Sequence, residues 1–355
     1  MLVLGIETSC DECSASLVKD GNEVVTNVVA SQVDLHREYG GVVPEIAARA
    51  HVETIIPVVD QALEGGKYSP DLIAVTAGPG LVGSLVVGVS VAKSLAWGWE
   101  IPLIGINHLE AHLIAPVLEK KSLEFPFVGL VVSGGHTLLA DVMDYDRMSI
   151  VGETLDDAVG EAYDKISKYL GLGYPGGPVI DRISKEADPS AVPFPRPMIN
   201  SDDCNFSMSG LKTAVVRYVE KQELQGNFPK ENHREVADIA ASFQAAACEV
   251  VVEKTLKAVR LLNRKRILAG GGVICNSELR RMLKERCERA GVEVFLPSPI
   301  FCTDNAAMIA SLGYYLFKKG YRCANEIDVY PSLKVGETIP GCTKTNPNTR
   351  HLEEE

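Results

Sequence analysis

Short apolar runs separated by small and polar turns recur along the chain, and two of the units they build share one plan. Val3-Leu4-Gly5-Ile6 runs into the polar turn 7–12, after which Ser14-Ala15-Ser16-Leu17-Val18 alternates as a returning strand. Phe127-Val128-Gly129-Leu130-Val131-Val132 likewise enters Ser133-Gly134-Gly135-His136, and residues 137–142 return. A strand, turn, strand unit present twice predicts a duplication into two related lobes, each ending in a hairpin tip whose backbone N–H groups suit a phosphate. Between the two copies, residues 72–76 read as a buried strand, 81–97 as a helix and 103–106 as a second strand, a βαβ unit that requires a parallel sheet. Helical periodicity follows at 156–170, 234–262, 278–289 and 305–319, with strands at 266–269 and 292–296. This alternation is that of an α/β protein.

The length of 355 residues fits two lobes at about 150 residues each. With 46% hydrophobic and 23% charged residues, the chain can bury a large core, which excludes disorder as its default state. Its formal charge of −12 argues against gripping a nucleic acid unaided, because phosphate affinity comes mainly from Lys and Arg. Nine cysteines, an odd number without framework spacing, predict free thiols in a reducing cytoplasm. Cys10-Asp11-Glu12-Cys13 is a lone C-x-x-C with no second pair to complete a zinc site. The N-terminus has no basic n-region, and apolar runs such as 85–91 are broken by Gly and Ser, so no membrane span is expected.

Asn107-His108-Leu109-Glu110-Ala111-His112 carries the sharpest chemistry. If Asn107 caps a helix, His108 and His112 share a face one turn apart, the spacing a metal needs from two imidazoles; the plainer alternative is a pair of half-buried helix histidines. Glu110 is not where the zinc-protease motif H-E-x-x-H places its general base. Asp304 opens the last helix and is either a third ligand or an ordinary first-turn acid. Two His with one carboxylate suit Fe(II) or Zn. Gly270-Gly271-Gly272 permits close approach to the backbone, and Asn276 beyond it is a ligand contact or simply a helix N-cap. Gly78-Pro79-Gly80-Leu81-Val82-Gly83 has the form G-x-G-x-x-G, but no acidic residue ends its second strand and Pro79 deletes a loop amide, which argues against a dinucleotide site. The rigid turn 173–178, flanked by Asp164 and Asp181, holds a ligand or merely links two helices. Lys212 is a phosphate contact only if it faces the cleft.

In this order the motifs Gly5-Ile6-Glu7-Thr8-Ser9, Asn107-His108-Leu109-Glu110-Ala111-His112, Ser133-Gly134-Gly135-His136, Tyr174-Pro175-Gly176-Gly177-Pro178, Phe206-Ser207-Met208-Ser209-Gly210-Leu211-Lys212 and Cys302-Thr303-Asp304-Asn305 resemble one family. It is that of the bacterial tRNA N6-adenosine threonylcarbamoyltransferases, once described as O-sialoglycoprotein endopeptidases. The resemblance covers roughly residues 2–330; Cys13 stands where the family has Thr, and Met208 where it has Phe. It implies an α/β fold of two duplicated actin-like, RNase H-like lobes around a nucleotide- and metal-binding cleft. The chain would divide into lobes at 1–106 and 107–300, a closing helix at 301–330 and a loosely ordered tail at 331–355. The resemblance further implies that His108, His112 and Asp304 bind one divalent metal, iron for the family, with zinc also suited. Val131, Val132, Ser133, Gly134, Gly135, Asp164, Gly177, Asp181 and Asn276 would bind the nucleotide-linked substrate. The implied reaction moves the threonylcarbamoyl group of threonylcarbamoyl-AMP to N6 of the adenosine 3′ of the anticodon, in tRNAs reading codons that begin with A. ATP or ADP would fit the same cleft. Asp11, at the first hairpin tip, is a candidate base or orienter, or a turn-stabilising Asp. Implied partners are tRNA, a smaller actin-like paralogue (TsaB type) that pairs through helices of the first lobe, and a small P-loop ATPase (TsaE type).

Three other readings stay open at this level. A small-molecule kinase or ATPase of the same superfamily leaves the histidine pair without a role. A metalloprotease lacks its base at Glu110, and a nucleotide-gated binding module would close on ATP without forming a product.

Overall fold

The structure, a computed structural model, describes residues 1–120, 123–225, 233–324 and 327–345. Two five-stranded sheets organise it. The first contains β1 (Leu2–Glu7), β2 (Glu12–Lys19), β3 (Glu23–Ser31), β4 (Leu72–Gly78) and β5 (Leu103–Asn107), in the order β3-β2-β1-β4-β5. The second contains β6 (Phe127–Val132), β7 (Thr137–Asp144), β8 (Arg147–Glu153), β9 (Arg266–Gly270) and β10 (Glu293–Phe295), in the order β10-β9-β6-β7-β8. In each sheet a three-stranded antiparallel meander precedes two strands that join in parallel. Matching β1–β5 to β6–β10 makes the two orders coincide, which is the duplication the sequence predicts. All residues of β4 and β6 are buried, and a strand covered on both faces reads as a continuous apolar run.

The elements that sequence patterning does not predict have physical reasons for being hidden. β3 and β8 are half-exposed edge strands, and register shifts in their pairing break the period of two. The helix Pro44–Ala62 carries Pro57 in its interior, a residue that argues against helix when met in sequence. The helix expected over 156–170 begins only at Val159. Asp156 is engaged instead as a cap: its carboxylate accepts from Met208 N at 2.8 Å and from the Ser209 hydroxyl at 2.7 Å, at the start of the helix Ser209–Leu224.

The helix Ala306–Lys318 returns from the end of the chain to the first lobe and lies on β1. It can approach so closely because Gly5 faces the carbonyl of Ala306, and its own Gly313 faces Ala74. Residues 327–345 pack on the first lobe, contrary to the loose tail expected from 331. Leu333, Ile339 and Cys342 are buried in the first lobe's core, and β12 (Cys342–Lys344) pairs with β11 (Tyr321–Cys323). Cys323 and Cys342 are joined by a disulfide, so not all the cysteines are free as their spacing predicts; pairing depends on proximity in space, which spacing does not report. Residues 346–355 lie outside the described residues.

Among the described residues one helix, Val82–Trp99, is long and apolar enough by composition to cross a membrane, longer than the sequence runs indicate. Leu85, Val89, Ala92 and Ala96 bury its inner face in the first lobe, while Val82, Val86 and Trp97 are exposed.

A methyl group at Gly5 would lie 2.1 Å from Ala306 O and 2.9 Å from Ala310 N, both backbone atoms that cannot turn aside. Gly5→Ala is therefore expected to destabilise the protein by about 1–3 kcal/mol, read as a lower denaturant midpoint at unchanged m-value.

Candidate metal centre and adjoining cleft

Asn107 ends β5 and caps the short helix His108–Ile114, its Oδ1 accepting from Leu109 N at 2.9 Å and Glu110 N at 3.2 Å. The cap fixes the first helical turn, so His108 and His112 stand on one face with ring centroids 4.7 Å apart. Asp304 arrives on the loop before Ala306–Lys318. That loop is held by Asn305, which caps Met308 N at 3.1 Å and donates to Thr303 O at 2.7 Å, and by Ser14, whose hydroxyl accepts from Ala306 N at 2.9 Å. Asp304 Oδ1 lies 2.9 Å from His112 Nε2 and 3.7 Å from His108 Nε2. One ligand atom from each of the three residues falls within 4.8 Å of the others.

Glu7, which closes β1, is the partner that sequence reading missed. It is fully buried and accepts from His108 Nδ1 at 2.9 Å and from Thr76 Oγ1 at 2.6 Å, while Ser9 N donates to its other oxygen at 2.5 Å. A carboxylate only accepts, so His108 carries its proton on Nδ1 and turns Nε2 toward Asp304, as an imidazole ligand with an oriented second nitrogen does. Burial alone would raise Glu7, but the charge of His108 and its hydrogen bond hold the carboxyl below its usual range. Burial pushes His108 down, yet Glu7 and Asp304 outweigh it and lift the imidazole to about 9. Asp304 is pressed upward by burial and held far below the carboxylate range by His108 and His112. The field here favours a positive charge, either a proton on His108 or a cation among the three ligands. Nδ1 of His112 is buried and has no partner among the described residues. The donor set fits a divalent cation with open positions.

His136 and Glu12 were also missed. Burial and then the charge of His108 push His136 down to about 4, leaving a neutral imidazole beside the cluster. Burial, followed by Asp304 and Asp11, raises Glu12 well above its ordinary range. Only their places in the two hairpin tips marked them in the sequence. Asp11 is buried at the first tip, and its charge adds to burial in raising both Asp164 and Tyr174 of the second lobe, so the first tip faces the second lobe across the cleft.

The other predicted binding residues gather in the second lobe. Val131 and Val132 end β6 and are buried; Ser133 N donates to His136 O at 2.8 Å to close the tip, and Gly134 and Gly135 have open space where a side chain would be. Asp164 Oδ1 accepts from Gly176 N at 2.7 Å, which sets Gly177 in the first turn of the helix Gly176–Ser184. Asp181 accepts from Ser277 N at 3.1 Å and from its hydroxyl at 2.8 Å. Asn276 caps Leu279 N at 2.9 Å and donates to Gln244 at 2.7 Å. Two of the three consecutive glycines answer packing: a methyl at Gly270 would lie 2.4 Å from His112 O, and one at Gly271 2.4 Å from Val132 O. They let the metal helix and the second hairpin close on the same loop.

Several sequence readings are redirected. Gly80 packs on the first hairpin tip, where a methyl would lie 2.6 Å from Ser9 O, so this glycine of the G-x-G-x-x-G match answers packing. Lys212 pairs with Asp157. Arg264 bonds Asp141, Arg266 bonds Glu293, and Arg281 bonds Glu278 and Glu285, so these three cations are paired. Glu110 turns away from the histidines and accepts from Gly336 N at 2.7 Å, with burial pushing it up to about 7. The metalloprotease reading thus has no base at that position.

A family model described as "TsaD: tRNA N6-adenosine threonylcarbamoyltransferase" matches residues 23–311. A relative of that name from Geotalea daltonii is 50% identical over 336 residues, covering 93% of this chain and 96% of its own length. Another, from Clostridium botulinum, is 48% identical over 338 residues, covering 94% and 98%. Among solved structures, full-length HypF in its phosphate- and nucleotide-bound form aligns with a TM-score of 0.59 at 13% identity over 89% of this chain, which spans 46% of that longer protein. Component A of (R)-2-hydroxyglutaryl-CoA dehydratase from Acidaminococcus fermentans aligns with a TM-score of 0.51 at 16% identity, over 90% of this chain and all of that one. These likenesses establish the two-lobed, actin-like fold.

Removing the charge of Glu7 while keeping its shape unties His108 from its orienting partner. Glu7→Gln is expected to weaken binding of a divalent metal about 10- to 100-fold, measured by competitive titration with a chelating indicator.

Proposed function

The chain belongs to the tRNA N6-adenosine threonylcarbamoyltransferase family, and from that premise we propose that His108, His112 and Asp304 form the metal centre of its reaction. The enzyme transfers a threonylcarbamoyl group to N6 of an adenosine in tRNA, forming t6A. The observation that carries the metal assignment is the convergence of two buried imidazoles and the half-buried Asp304 carboxylate within 4.8 Å, with Glu7 orienting the first. Fe(II) is the preferred ion for two imidazoles and one carboxylate, and Zn also suits them. When bound, it supplies Lewis-acid polarisation of the carbonyl under attack and stabilises the developing oxyanion.

The donor is threonylcarbamoyl-AMP. Val131, Val132, Ser133, Gly134 and Gly135 present the second hairpin tip to its phosphate, while Gly177 and Asn276, with Asp164 and Asp181, bound the place of its adenosine. The open space over Gly134 and Gly135 supports this reading. ATP or ADP fits the same cleft. N6 of the acceptor forms the new C–N bond to the carbonyl carbon, the C–O bond to phosphate breaks, and AMP leaves with the electron pair. Asp11 takes the N6 proton, a role consistent with its place at the first tip, facing the second lobe. An aromatic amine is a poor nucleophile, so most of the acceleration falls to positioning.

The enzyme acts in the cytoplasm together with partners that help it hold tRNA. A smaller actin-like paralogue docks on the helices Pro44–Ala62 and Val82–Trp99, where Val52, Ile56, Val82 and Val86 are exposed. A small P-loop ATPase completes the set.

Mass spectrometry of tRNA nucleosides after reconstitution with these partners is expected to show t6A, reduced about 10²- to 10³-fold in rate by His112→Ala. Absence of t6A with the complete set would overturn the assignment of this chain's activity. Ile56→Asp is expected to weaken association with the paralogue by about 2 kcal/mol in titration calorimetry, with the metal content unchanged.

A further inference from the structure

A cavity of about 300 Å³ opens between the lobes beside the metal cluster. Aliphatic Pro79, Leu109, Leu138, Ile150, Leu333 and Val335 line it, with Thr137, Glu153 and Thr154 adding polar groups. Leu109 follows the ligand His108 directly. His136 is the one aromatic ring in the lining, and it responds to the charges of His108, Asp304 and His112, so it marks the end of the cavity nearest the metal ligands. The tip 133–136 shares Gly135 and His136 with this cavity, and its Ser133 side belongs to the proposed adenylate cradle. Leu333 and Val335 belong to the C-terminal strap, which is fastened to the metal helix where Asn107 Nδ2 donates to Lys334 O at 2.9 Å and Gly336 N donates to Glu110. The strap's exposed Ser332 and Lys334 stand at the rim.

We propose that this cavity is the subsite for the acceptor adenine of tRNA. The established reaction forms a bond at N6, an atom that cannot be reached while its base is stacked in an anticodon loop, so the base must leave its neighbours and enter the protein. A flat heterocycle requires apolar walls for its faces and a ring to stack on, and both are present. Entry from this side brings N6 to the His136 end, next to the metal ligands, while the donor's adenosine occupies the other side of the same hairpin. Lys334 at the rim suits the phosphate of the displaced nucleotide, on a chain whose formal charge is −12. The strap is then a wall of the acceptor site, and Glu110 and Asn107 hold that wall at a fixed distance from His108 and His112.

The assignment rests on the metal-centre reading only for the direction in which N6 points, and the experiment separates the two. Ser332→Trp adds bulk at an exposed position of the rim. It is expected to lower kcat/KM for tRNA about a hundredfold, leaving unchanged the metal content and the affinity for a non-hydrolysable threonylcarbamoyl-adenylate analogue. Lys334→Ala is expected to raise KM for tRNA with kcat retained and to flatten its salt dependence. An anticodon stem-loop carrying 2-aminopurine 3′ of the anticodon is expected to brighten on binding the wild-type enzyme with its partners, and not on binding Ser332→Trp. Unchanged kcat/KM in Ser332→Trp, an equal loss of affinity for the adenylate analogue, or no change in probe fluorescence with the wild-type complex would each overturn the subsite. A wrong metal assignment would show separately, as full metal content in His112→Ala.

Discussion

Glu7, His108, Asp304 and His112 form one buried line of alternating carboxylates and imidazoles, and the rest of the molecule is arranged to bring its members together. Glu7 stands 101 residues from His108, and His112 stands 192 residues from Asp304. A buried charge is tolerable only when it is paired and hydrogen-bonded, so no member of the line is stable in this place without the others. β1 delivers Glu7, the end of β5 delivers the histidine helix, and the helix Ala306–Lys318 brings Asp304 back across the first sheet. Close packing at Gly5 and Gly313 makes that return possible.

The same line links the two halves of the reaction. Gly270 lies against the carbonyl of His112 and Gly271 against the carbonyl of Val132, so the loop after β9 touches the metal helix and the second hairpin at once. Displacement of the second hairpin would therefore be transmitted to the histidine helix through backbone contacts with little freedom to yield. On the far side, the strap bonded to Asn107 and Glu110 braces the same short helix. A helix of seven residues is too short to hold two ligands in place by its own hydrogen bonds, and here it is fixed at its cap and on both flanks.

Charge takes on a narrower meaning in the folded chain. Arg264, Arg266 and Arg281 are each paired with carboxylates in the folded chain. A chain of formal charge −12 offers little net attraction to tRNA phosphates. The helices Pro44–Ala62 and Val82–Trp99 carry exposed apolar residues, among them Val52, Ile56, Val82 and Val86.

Periodicity alone determined the α/β class, the duplicated hairpins and most of the helices, because apolar alternation and helical spacing are local properties of the chain. The His108/His112 pair and its Asn107 cap were legible for the same reason: one helical turn fixes their separation wherever the helix sits. Asp304 was legible only as the acid opening a helix, with a family pattern to connect it to the histidines. Glu7, Glu12 and His136 carried no local signal of function. Their roles come from strand order and lobe closure, which place residues of three distant segments around one point. The cavity beside His136, the tying of Glu110 to the strap and the Cys323–Cys342 bond were likewise decided by the tertiary structure. Each depends on a distance across the fold, and the order of residues fixes such a distance only when the whole core has packed.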